Sequence, residues 1–160
     1  MTGIVVVSGN PRAGSRTSAL AIAVGEAIAT RLGAPAPTVI EVGEFGAGLL
    51  TKGDEPTAAA VAALNAADLL VVATPTYKGS YTGVLKVLLD QLQNQALAGK
   101  RAVPVVTAGV APQATAAEAL LRQLLTELGA TVIQPGLPVV EADLPETAAI
   151  AQKYAAAVDW

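Results

Sequence analysis

The chain has 160 residues, close to one domain's worth, with 52% hydrophobic and 14% charged. That is enough to bury a core without staples and too apolar for intrinsic disorder. With no cysteine and no histidine, it has no disulfide, no thiolate or imidazole metal site and no Ser-His-Asp triad. A net charge of −3, ten scattered basic residues and only 3% aromatics exclude nucleic acid as a partner, because neither a phosphate-tracking patch nor a stacking platform can be built. If the chain is an enzyme, a borrowed cofactor carries the chemistry and no catalytic side chain is expected.

In chain order, short β-branched apolar runs alternate with longer Ala/Leu-rich stretches. The first run, Gly3–Ser8, lies within an apolar start (Met1 to Gly9) that lacks the basic region and cleavage site of a secretory leader. A helix follows from about Arg16 to Leu32, closed by Gly33. The second run is Thr38–Val42. Gly43–Gly53 then reads as the longest irregular stretch and a mobile loop. Asp54, Glu55 and Pro56 open the next helix, with acids and proline where a first turn favours them. Leu69–Ala73 is the third run, followed by a helical stripe of Val84, Val87, Leu88 and Leu92. Ala102–Thr107 is the fourth, preceded by Lys100 and Arg101, which read as solvated surface charges. Thr115-x-x-Glu118 resembles a capping box opening a helix over Ala116–Leu128, with Gly129 behind it. The fifth run, Thr131–Ile133, resumes at Leu137–Val140, and Asp143-x-x-Glu146 starts a last helix toward Trp160.

Alternating strands and helices with continuously apolar strands predict a parallel sheet covered on both faces. Right-handed crossovers make it an open, doubly wound, five-stranded α/β sheet in the order 2-1-3-4-5, spanning residues 1–160 as a single domain. No apolar run is long enough to cross a membrane, and the reading is a cytoplasmic protein.

Ligands in such sheets bind beyond the carboxyl ends of the strands, where the winding reverses. Three loops meet that condition. Loop one, Ser8–Ser18, joins a buried strand to a helix N-terminus, whose free N–H groups and dipole suit an anion. Asn10, Arg12, Ser15 and Thr17 add donors for a phosphate, although the segment also makes sense as a polar turn with a Ser or Thr cap. Loop two, Ala73–Gly83, offers a proline turn with Tyr77 and Tyr81. It has an apolar face and main-chain edges for a flat heteroaromatic ring, or else two packing tyrosines. Loop three, Thr107–Pro112, contains Gly109, which either admits a ring edge or merely turns the chain.

Taken together, Ser8-Gly-Asn-Pro-Arg-Ala-Gly-Ser-Arg-Thr and Ala73-Thr-Pro-Thr-Tyr-Lys-Gly-Ser-Tyr-Thr-Gly-Val-Leu-Lys resemble the NAD(P)H-dependent FMN reductase family of flavodoxin-like proteins. Within it they are similar to the reductase components of two-component alkanesulfonate monooxygenase systems, over roughly Ile4 to Pro138. The resemblance implies a flavodoxin-like fold and hydride transfer from NADH or NADPH to FMN. It implies that Asn10, Arg12, Ser15 and Thr17 hold the FMN phosphate, and that Pro75, Thr76, Tyr77, Lys78 and Gly79 flank the isoalloxazine. Thr107, Ala108 and Gly109 lie near its pyrimidine end. It further implies a homodimer or homotetramer, a partner flavin-dependent monooxygenase, and Tyr81 in a π-bulge of the helix it precedes. The alternatives are an FMN-containing quinone or azo reductase and a non-enzymatic flavodoxin-like electron carrier.

Overall fold

The computed structural model describes residues 2–160; Met1, the first residue of the apolar start considered above, lies outside the described residues. Strands β1 (Ile4–Ser8), β2 (Thr38–Glu41), β3 (Leu69–Pro75), β4 (Arg101–Ala108), β5 (Thr131–Val132) and β6 (Leu137–Val140) alternate with helices. The helices are α1 (Arg16–Leu32), α2 (Glu55–Ala66), α3 (Gly83–Leu89), α4 (Ala111–Glu127) and α5 (Thr147–Ala157). The sheet is parallel in the order β2-β1-β3-β4-β5, and β6 also pairs with β4. The fifth strand is therefore interrupted. β5 pairs with Arg101 and Ala102, β6 with Val105–Ala108. Between them Gln134-Pro135-Gly136 leaves the ladder, because proline has no N–H to give it. The Arg122 guanidinium takes up the Ile133 carbonyl at 2.9 Å, and the Tyr154 hydroxyl takes up that of Pro135 at 2.6 Å.

Side chains of the central strands alternate between two cores. Val5, Val7, Leu70 and Val72 face α2, α3 and α4, meeting Leu64, Leu85, Leu88 and Leu121. Ile4, Val6, Leu69 and Val71 face α1 and α5, meeting Leu20, Val24, Ile28, Ala151 and Tyr154. β1 is buried along its whole length, as a strand between two helical layers must be.

Several helix ends follow local chemistry. Ser15 caps α1 by accepting the Ser18 N–H, and Gly33 closes it at φ 63°. Asp54 caps α2 through the Thr57 N–H. Elsewhere the sequence expectations are corrected. α4 starts at Ala111, not Thr115, because Pro112 sits in the first turn, where its fixed φ favours helix. Thr115 and Glu118 lie inside the helix, and Glu118 pairs with Arg122 at 2.7 Å. The last helix starts at Thr147; Pro145 holds Glu141–Glu146 in a tighter 3-10 turn that buries Leu144. Gly43–Gly53 is no featureless loop but contains two 3-10 turns, with Leu49 buried and its carbonyl bonded to Gln91 Nε2 at 3.0 Å. Leu92 lies beyond the end of α3 yet packs in the core. Lys100 is not a free surface charge. Its ammonium reaches the Asn65 and Ala67 carbonyls, both at 2.7 Å, at the end of α2. Arg101 is the first residue of β4.

Candidate functional site

Strand register brings the three loops to one edge. Ser8 lies opposite both Glu41 and Ala73, and Pro75 lies opposite Thr107. Side-chain hydrogen bonds then tie the loops together. Thr82 Oγ1 donates to the Gly9 carbonyl at 2.6 Å, joining loop two to loop one. Thr76 Oγ1 donates to the Thr107 carbonyl at 2.9 Å, joining loop two to loop three. The hydroxyls of Thr17 and Thr107 meet at 3.0 Å, joining α1 to loop three.

Loop one turns tightly. Asn10 Oδ1 accepts the Arg12 N–H at 2.9 Å, an Asx turn. Gly9 is pressed against the fold, and a Cβ there would stand 2.8 Å from Leu85 Cβ. At Gly43, behind the loop, a Cβ would run into the Pro11 carbonyl. Ser15 spends its oxygen on the Ser18 N–H, which leaves the N–H groups of Arg16 and Thr17 without a partner among the described residues. Arg12 is exposed and forms no ion pair among the described residues, whereas Arg16 stands 3.9 Å from Glu141.

Loop two contains a two-residue hairpin. Tyr77 and Ser80 exchange backbone hydrogen bonds at 2.9 and 3.2 Å around Lys78 (φ 52°) and Gly79 (φ 83°). Both central residues are left-handed, as a type I′ turn requires. The turn lifts Tyr77 outward, leaving it 49% exposed, with Lys78 and Gly79 exposed beside it. Pro75 and Thr76 are half-buried at its base. Tyr81 precedes the helix, packs against the core on the α3 side and is followed by the Thr82 cap. α3 starts regularly at Gly83, so Tyr81 makes no π-bulge.

Loop three supplies Thr107 and Ala108, both buried, and Gly109, which is exposed and has nothing within 4 Å of an added Cβ. Of the residues singled out from sequence, Arg12, Tyr77, Lys78, Gly79 and Gly109 are therefore exposed, and Asn10 is partly exposed. The hydroxyls of Ser15, Thr17 and Thr107 are engaged within the rim.

Sequence reasoning missed Thr82, Ser18 and Glu41. Ser18 Oγ meets Ser8 Oγ at 2.6 Å and Ser15 Oγ at 3.1 Å, and it donates to Glu41 Oε1 in a short contact. Glu41 Oε2 accepts the Gly14 N–H at 2.9 Å. A carboxylate of the chain thus sits on loop one's donors, and this donor set fits an anionic group such as a phosphate. The signal was available for Glu41, since it ends the strand adjacent to the one that feeds loop one.

The profile of the NADPH-dependent FMN reductase family matches residues 2–144. The chain belongs to this family. Similar FMN reductases include the NADH-dependent FMN reductase SfnF of Pseudomonas putida, 34% identical over 84% of this chain and 75% of that protein. The FMN reductase (NADPH) of Pseudomonas aeruginosa is 33% identical over 88% of this chain and 77% of its own. Among solved structures, the apo form of the NADH:FMN oxidoreductase EMOB superposes with a TM-score of 0.82 at 31% identity, covering 99% of this chain and 91% of that one. An archaeal flavodoxin, at 21% identity and a TM-score of 0.64, shares the fold. FMN reductases of this family are oxidoreductases that take electrons from NADH or NADPH and use FMN as the flavin.

Proposed function

We propose that the three-loop rim is the flavin site of an NAD(P)H-dependent FMN reductase, and that FMN enters and leaves it as a substrate. The observation that carries this reading is the threonine network, which joins the three loops into one rim at the carboxyl edge of the sheet. Asn10 and Arg12, with the N–H groups of Arg16 and Thr17, hold the phosphate at the positive end of α1, while the Ser15 and Thr17 side chains, expected there from sequence, brace the loop from within through their hydroxyls. Pro75, Thr76, Tyr77, Lys78 and Gly79 flank the ring, and Thr107, Ala108 and Gly109 meet its polar edge. FMN, when bound, supplies the acceptor for a nicotinamide hydride. The chain's part is to hold the rings at reacting distance and keep water off them. No side chain needs to shuttle a proton, consistent with a sequence without histidine or cysteine.

The likeness of loops one and two to sulfonate-system reductases supports delivery of the reduced flavin to a partner monooxygenase. Tyr77 on loop two and Val110 on loop three, 49% and 52% exposed, are apolar surface at the rim. They favour a homodimer or homotetramer that covers it. A steady-state assay of NADH and NADPH oxidation, with and without added FMN and with flavin quantified in the same batch, tests the substrate role. The expected result is a nearly colourless protein that turns over only when FMN is added. A stoichiometrically yellow protein reducing quinones by ping-pong kinetics would overturn it.

A further inference from the structure

The Glu41 carboxylate holds the Gly14 N–H and the Ser18 hydroxyl, which flank in sequence the Arg16 and Thr17 N–H groups assigned above to the phosphate. It is fixed there by backbone, since Glu41 ends β2 in register with Ser8. The ion pairs among the described residues are Arg16–Glu141, Lys86–Asp90 and Arg122–Glu118. Glu41 belongs to none of them; it is held by hydrogen bonds beside the N-terminus of α1. The serines behind it are ordered by the same charge. Ser18 has one hydroxyl proton and gives it to Glu41. In their contacts with Ser18, the Ser8 and Ser15 hydroxyls are therefore the donors. The Ser15 hydroxyl, expected from sequence to face the phosphate, is turned inward.

We infer that Glu41 is a built-in competitor for the flavin phosphate: its charge, seated on loop one's donors, weakens the hold on phosphorylated flavin and keeps FMN exchangeable. This rests on the reading of loop one as the phosphate cradle. A phosphate carrying nearly two negative charges is repelled by a carboxylate a few ångströms away, whereas riboflavin, which lacks the phosphate, is not. Neutralising Glu41 therefore separates the two flavins. At a partly exposed site the repulsion corresponds to roughly a tenfold change in Kd.

The test is titration of the wild type, Glu41→Gln and Glu41→Ala with FMN and, separately, with riboflavin, following flavin fluorescence, with thermal melts to verify folding. Gln keeps the shape and an acceptor without the charge; Ala removes the side chain altogether and guards against an amide that misplaces Gly14. The expected result in both variants is FMN binding tightened roughly tenfold, with riboflavin binding changed by less than about twofold. Weakening of both flavins alike would mean that Glu41 only braces the loop, and an unchanged FMN Kd would mean that its charge is not felt; either overturns the inference. If the wild type and both variants take up neither flavin, the rim is not a flavin site and the underlying reading falls with it. Loss or reversal of the FMN–riboflavin split alone removes only the role of Glu41.

Discussion

Thr82 serves three partners from one position. Its hydroxyl donates to the Gly9 carbonyl and accepts the Leu85 N–H that opens α3, and its own N–H bonds to Thr74 Oγ1 at 3.1 Å. The residue is buried, so water cannot replace what it loses. Thr82→Val keeps the shape and β-branching while removing the cap and leaving the Gly9 carbonyl unpaired. The expected cost is about 2–3 kcal/mol, about 1 from the cap and the rest from the unpaired acceptor. Urea denaturation measures it. FMN titration of the same variant should show weaker binding, since loop one is then no longer tied to loop two. None of this was legible along the chain. Thr82 and Gly9 stand 73 residues apart, and a hydroxyl's choice between solvent, cap and distant carbonyl is settled only by the fold. Arg12 and Tyr77 were easier to single out, because their type and loop suffice to mark them as exposed candidates.

At the level of elements, the interrupted fifth strand depends on the helices that cover its gap. Tyr154, on α5, closes it from one side through Pro135, and burial pushes its phenol up to about 12 from the usual 10. Arg122 draws it down and Glu118 raises it, both by smaller amounts. A phenol whose folded pKa lies above the unfolded one favours the folded state. That contribution is complete below about pH 10 and is lost as pH rises toward 12. Thermal melts of the wild type should therefore fall more steeply over pH 10–12 than those of Tyr154→Phe. At neutral pH the Phe variant should be less stable by about 1 kcal/mol, for the missing hydrogen bond. Equal alkaline slopes would show that Tyr154 titrates alike in both states. The two strand pieces were visible in sequence as apolar runs, and the gap as Gln134-Pro135-Gly136. The start of α4 was misread because a Thr-x-x-Glu spacing is common inside helices, whereas Pro112 marks a first turn through its fixed φ.

Across the whole molecule, the strand order was legible because alternation and right-handed crossovers leave few arrangements. The central strands read as largely apolar runs and are buried over most of their length. Assembly was not legible in the same way, since the face that joins copies is set by the outward residues that periodicity does not rank. The outward set here includes Leu50, Val110 and Leu120, of which Leu50 is 80% exposed. Light scattering with and without FMN is expected to give two or four times the mass of the chain. A value corresponding to one chain under both conditions would mean that the rim is completed by flavin alone.

Thr107 serves two neighbours, with its carbonyl taken by Thr76 and its hydroxyl by Thr17. For protein engineering, this means the rim cannot be exchanged piecemeal. A chimera importing residues 74–82 from another reductase brings hydroxyls cut to fit a different pair of seats. Unless the graft keeps a hydroxyl at positions 76 and 82, the Gly9 and Thr107 carbonyls lose the donors that now satisfy them.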